Sequence, residues 1–105
     1  MKVDKKVAQE LYKSILTPRL IEKKMLNLLR QGKLSKWFSG IGQEAISVGV
    51  TKALKANDTI FTMHRNLGVF TSRNIPLENL FGQIIGNKLG FTKGRDRSFH
   101  FGIPK

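Results

Sequence analysis

The sequence predicts an α/β fold that is incomplete: mostly α-helical, with one short buried strand near residues 59–63. Three observations carry this reading. A helix-period apolar stripe runs through residues 4–31, from Val7, Leu11 and Ile15 to Ile21, Met25, Leu28 and Leu29. "TIFTM" is a short apolar run with β-branched residues, the pattern of a buried parallel strand. No second strand is readable, although a lone strand cannot satisfy its own backbone. The remaining strands of the sheet are therefore expected outside these residues.

The elements follow in order. Thr17-Pro18 interrupts the leading stripe, because proline lacks an N–H and disfavours helical geometry at the residue before it. Two helices or one kinked helix are expected, with Thr17 capping and Pro18 in the first turn of the second. Gly32 stops the helix. "KLSKWFSGIG" is a connector holding the only tryptophan. "GQEAISVGVTKALKAND" reads as a helix over 43–55 with an apolar face of Ala45, Val48, Ala53 and Leu54, widened by Ile46 and Val50. Gly49 within it suggests close packing against another backbone. Asn57-Asp58 ends it. "NLGVFTSRN" reads as a short helix or helical turn, Asn74 to Pro76 restart a helix through "LENLFGQIIG", and the chain after Gly90 is an extended loop.

Composition bounds the function. The chain has 105 residues and a net charge of +12, with 19 Lys+Arg against 7 Asp+Glu. That balance favours anionic partners. The basic residues are spread along the chain, which fits a solvated surface as well as a binding stripe. Without cysteine there is no disulfide or thiolate-metal site. No segment approaches the ~18 apolar residues of a membrane span, and the opening residues lack the apolar region of a secretory signal. A cytoplasmic location is expected, and no membrane partner. The sequence shows no internal repeat, Walker motif or dinucleotide fingerprint.

Candidate chemistry sits in two places. "FTMHRN" sets His64 and Arg65 at the end of the expected strand, where the pair can hold a phosphate through charge-assisted hydrogen bonds. "KGRDRSFHFG" gathers Arg95, Arg97, Ser98 and His100 in a loop. The plain alternatives are an exposed turn and a solvated loop, and a lone histidine is usually structural. Two histidines 36 apart, with no carboxylate at ligand spacing, make a poor metal site, so no metal ligand is assigned. Ser98 and His100 lack an orienting acid for nucleophilic catalysis. A helix-turn-helix is disfavoured by apolar and glycine residues where base-reading side chains belong. A small basic module for nucleic acid or another polyanion remains the alternative class.

Taken together, "GIGQEAISVGVTKAL", "DTIFTMHRNLG" and "GNKLGFTKGRDRSFHFG" resemble, in order and spacing, the N-terminal region of the alpha subunit of thiamine-diphosphate-dependent 2-oxoacid dehydrogenases. "ELYKSILTPRLIEKKMLNLLRQGKL" is similar to that family's leading helix. "HRNLG" and "GRDRSFHFG" look closer to the branched-chain (2-oxoisovalerate) branch. Pyruvate enzymes usually carry histidine four residues before the glycine of Gly-Gln-Glu-Ala; here Phe38 stands there. His64 stands where the family often has tyrosine, and it keeps a hydrogen-bond donor for phosphate.

The resemblance implies a thiamine-diphosphate-binding fold and an oxidative decarboxylase whose acyl group passes to a lipoyl arm. Residues 1–105 would be the N-terminal part of the alpha-subunit domain: leading helices 4–31, core segment 42–90 and active-site loop 91–105. It further implies that His64 and Arg65 contact the cofactor diphosphate and that His100 sits at the reacting centre as donor or proton carrier. Ser98 would order the loop, Phe38 would lie toward the substrate, and Glu44 would lie near the site at the start of its helix. The magnesium ligands and the segment holding the aminopyrimidine are expected beyond Lys105. The implied partners are a beta subunit or beta half and a lipoyl-bearing acyltransferase. Self-association is expected, because helices 4–31 and 43–55 would expose apolar faces. The 105-residue chain alone is expected to lack decarboxylase activity and to bind the cofactor weakly or not at all.

Overall fold

The computed structural model describes residues 2–96 and 99–104. Four helices are present among them: α1 (Lys5–Arg30), α2 (Glu44–Ala53), α3 (Leu67–Ser72) and α4 (Leu77–Ile85). α2 packs on α3, and α1 packs on both.

α1 is a single unbroken helix, not two. The Asp4 side chain accepts the Val7 N–H at its start, and Pro18 lies inside it. Thr17 does not cap a second helix; its hydroxyl donates to the Lys13 carbonyl one turn back at 2.9 Å. Pro18 removes one helical N–H, but its ring lies on the buried face with Ile21, Glu22 and Met25. Burial of that face outweighs one missing bond, and so the helix runs through. It ends as expected at Gly32, whose φ of +74° is the left-handed geometry of a helix stop. There the Gly32 N–H donates to Leu29 O and the Lys33 N–H to Leu28 O.

α2 is turned over relative to its sequence pattern. Val48 is buried, but the other buried residues are Glu44, Ser47 and Thr51. Ile46 and Val50 face outward at 69% and 57% exposure. Gly49 meets nothing within 4 Å, so the close packing expected there is absent among the described residues. Ser47 and Thr51 can lie inward because their hydroxyls donate to carbonyls of their own helix. The close approach occurs at Gly68 of α3 instead, where an added Cβ would sit 2.2 Å from Ser47 Oγ.

The buried strand expected at 59–63 is not formed. Residues 58–63 carry no regular secondary structure, and no strand is present among the described residues. Phe61 is 95% exposed and Met63 68%. No described segment pairs with these residues in a ladder, and an unpaired segment gains nothing from strand geometry. Arg73 holds its entry instead, donating to the carbonyls of Lys55, Ala56 and Asp58.

The core joins Ile21 and Met25 of α1, Leu34, Leu67 and Phe70 of α3, Leu80 and Ile84 of α4, and Phe99. Fully buried Gln83 ties the loop after α4 to it. Its amide oxygen accepts from Thr92 N and its amide nitrogen donates to Asp96 O, both at 3.0 Å. Phe99 and Phe101 then pack on Phe70 at ring separations of 5.5 and 4.8 Å. Between these two anchored residues His100 is exposed, with its ring 6.2 Å from that of His64.

Candidate functional site

Three segments distant in sequence converge. The connector brings Phe38, the turn at 63–66 brings His64 and Arg65, and the chain after the loop brings His100. The turn closes on itself: Asn66 Oδ1 accepts the Met63 N–H at 2.9 Å and the Asn66 N–H donates to Met63 O at 3.1 Å. His64 and Arg65 thus occupy a fixed turn just before α3, not a strand end.

The His64 ring lies 4.4 Å from the Phe38 ring and 6.2 Å, edge-on, from that of His100. The Arg65 guanidinium lies over the Phe38 ring at 5.6 Å from its centre and donates to Ser39 O at 3.2 Å. Lys36 Nζ lies 5.4 Å from the same ring. Two cations near one aromatic ring, with His64 against that ring and His100 beside His64, make a basic cluster around Phe38. No described carboxylate bonds to either histidine or to Arg65; the one ion pair among the described residues lies elsewhere. His100 also borders an open groove of about 970 Å³, lined by Ile60, Thr62, Phe70 and Phe101 among others.

Glu44 reaches this cluster only through the backbone. It is 6% exposed at the first turn of α2. Its Oε1 accepts from Arg19 Nε at 2.5 Å and its Oε2 from the Gly42 N–H at 2.8 Å. The Arg19 hydrogen bond, foremost, holds its carboxyl below the usual glutamate range, against the opposing effect of burial. With both oxygens engaged, Glu44 anchors the connector to α1 and α2. Ser98 lies outside the described residues.

Sequence reasoning missed Arg19, Glu22, Ser39 and Gly40, which hold the connector in place. Glu22 accepts the Gly40 N–H at 2.7 Å and bonds the Ser39 hydroxyl. The available signal was a carboxylate inside an apolar stripe, flanked at helical spacing by Pro18, Ile21 and Met25. No group of three or more metal-ligating side chains occurs among the described residues, and no helix of the structure is long and apolar enough to cross a membrane.

Comparisons with known proteins bear on this arrangement. The chain is 33% identical over 96 residues to the mitochondrial 2-oxoisovalerate dehydrogenase subunit alpha of Dictyostelium discoideum, covering 91% of this chain and 22% of that protein. It is 33% identical over its whole length to subunit alpha 2 of Arabidopsis thaliana, again 22% of that protein. Over 96 residues it is 33% identical to the human subunit alpha, covering 91% of this chain and 22% of that protein. The chain thus spans about a fifth of the length of these relatives. All three are named as mitochondrial, which does not support the cytoplasmic location expected above. No solved structure matches. The model of the dehydrogenase E1 component family matches residues 12–104, from within α1 past His100, and the chain belongs to that family.

Proposed function

We propose that residues 1–105 are the N-terminal part of the thiamine-diphosphate-binding alpha-subunit domain of an enzyme that oxidatively decarboxylates a branched-chain 2-oxo acid and passes the acyl group to a lipoyl group. The observation that carries this is the convergence of Phe38, His64, Arg65 and His100 into one basic cluster. The cluster fits the diphosphate end of the cofactor. Arg65 uses one N–H on Ser39 O, and neither imidazole bonds a described side chain, which leaves donors free for phosphate oxygens. Thiamine diphosphate supplies, when bound, the carbanion and electron sink that decarboxylation requires.

In this reading Arg65 and His64 hold the diphosphate and His100 donates to or carries a proton at the substrate. Phe38 fills the place where pyruvate enzymes have histidine, which favours an apolar acyl chain, in keeping with the names of the relatives. Glu44 and Ser98 support the connector and the loop. The magnesium ligands, the aminopyrimidine segment, a beta subunit and a lipoyl-bearing acyltransferase complete the site in the whole enzyme. The relatives' names make mitochondria as fitting a compartment as the cytoplasm. The outward Ile46 and Val50 support self-association or burial against another chain.

The chain's only two histidines make the test direct. Inorganic pyrophosphate is titrated while the imidazole ring protons are followed by NMR. Both histidines should shift along one weak binding curve, and Arg65→Ala should weaken it roughly tenfold, the loss of one exposed charge-assisted contact. Unmoved histidine signals, or an unchanged curve in Arg65→Ala, would refute the assignment.

A further inference from the structure

α1 places a carboxylate where its neighbours are apolar. Glu22 is 2% exposed, on the face that carries Pro18, Ile21 and Met25. Burying a charge is costly unless it is well bonded, and Glu22 forms no ion pair among the described residues. Its partners are instead two donors of the connector, the Gly40 N–H at 2.7 Å and the Ser39 hydroxyl.

Those two residues touch the basic cluster directly. Ser39 O accepts from Arg65. The Gly40 backbone lies so close to Arg65 that an added Cβ would sit 2.1 Å from the Arg65 carbonyl oxygen and 3.5 Å from Glu22 Oε1. Phe38, next in the chain, packs against His64 with the rings tilted by 55° and lies under Arg65. Glu22 therefore grips the strip of backbone that sets Phe38 against His64 and Arg65.

We propose that Glu22 is a positioning residue for the anion-binding cluster: buried in α1, it fixes residues 38–40 so that Phe38 and Arg65 are presented together. The proposal rests on the diphosphate reading for its ligand but not for its geometry. Its sign separates it from plain electrostatics. Removing a negative charge near an anion site should tighten anion binding, whereas losing the grip on the connector should weaken it.

The experiment compares the 105-residue chain with Glu22→Met, which keeps volume but accepts no hydrogen bond, and Glu22→Gln, whose amide oxygen still accepts the Gly40 N–H. Two readouts are taken: the nuclear Overhauser contact between the Phe38 and His64 rings, and pyrophosphate affinity. In Glu22→Met the ring contact should vanish and pyrophosphate binding should weaken roughly tenfold, about one lost charged hydrogen bond. Glu22→Gln should keep the contact and most of the affinity. An intact ring contact in Glu22→Met, or unchanged or tighter binding, overturns the proposal. Should Glu22→Met not fold, Gly40→Ala disturbs the same junction from the other side, and retention of the contact there overturns the proposal equally. If the unmodified chain binds no pyrophosphate, the diphosphate reading fails, and the ring contact alone decides the role of Glu22.

Discussion

Two glycine-to-alanine substitutions should change stability in opposite directions. Both glycines lie in helices, where alanine is favoured by roughly 0.5–1 kcal/mol. At Gly49 of α2 an added Cβ meets nothing within 4 Å. Gly49→Ala should therefore gain nearly the full propensity term, a rise in melting temperature of about 2–8 °C for a chain of this size. At Gly68 of α3 the same Cβ would lie 2.2 Å from Ser47 Oγ, 3.0 Å from Val48 Cγ2 and 3.1 Å from Ser47 Cβ. Relieving that overlap forces α3 away from α2, or Ser47 away from its bond to the Glu44 carbonyl. Overpacking of this kind costs about 1–3 kcal/mol. After the propensity gain, Gly68→Ala should lose about 1–2 kcal/mol, roughly 5–15 °C. Thermal unfolding followed by circular dichroism measures both. Adding Ser47→Gly to Gly68→Ala should recover part of the loss, since Ser47 Oγ and Cβ are then gone and only Val48 Cγ2 still crowds the new Cβ. A stabilised Gly68→Ala, or a destabilised Gly49→Ala, would refute the packing of α2 on α3 described here.

Two further outcomes follow from the bonding. The Glu44 carboxyl is held below its ordinary value by Arg19, so its contribution to stability is complete above about pH 4.3 and shrinks as pH falls through the folded-state value. Glu44→Gln should cost about 1 kcal/mol near neutrality, since Arg19 is 39% exposed and screened, and the gap from the unmodified chain in urea titrations should close in acid; a gap that widens in acid would reverse the assigned sign. Arg73→Met should release the carbonyls of Lys55, Ala56 and Asp58, so amide exchange across residues 55–62 should speed up while α4 is unaffected; unchanged exchange there would show that the guanidinium does not hold the turn.

The sequence revealed the helices more readily than their orientation. The stripe from Ile21 to Leu29, the stop at Gly32 and the helices after Asn66 and Pro76 were all legible, because periodicity and turn residues act locally. The facing of α2 was not. Ile46 and Val50 marked an apolar side, but α1 and α3 take up the side that carries Glu44, Ser47 and Thr51, where Arg19 and the helix carbonyls satisfy the polar atoms. The strand at 59–63 failed for a related reason: residue type sets a preference for extended chain, while a strand exists only with a neighbour. His64, Arg65 and His100 could be singled out from their motifs, yet their meeting depends on Phe99 and Phe101 anchoring to the core. Glu22 was hidden because it reads as one more charged residue on a basic helix.

The central claim is that the basic cluster is made for the diphosphate of thiamine diphosphate and not for polyanions in general. The most direct measurement follows the His64 and His100 ring protons during titrations with thiamine diphosphate, with thiamine, and with a short DNA duplex at two salt concentrations. Weak, saturable shifts of both histidines are expected with thiamine diphosphate and none with thiamine. With DNA, no binding or a shallow dependence on salt is expected. Silence of both histidines toward thiamine diphosphate, together with DNA binding that falls tenfold or more over a few-fold rise in salt, would contradict it and favour a polyanion-binding module.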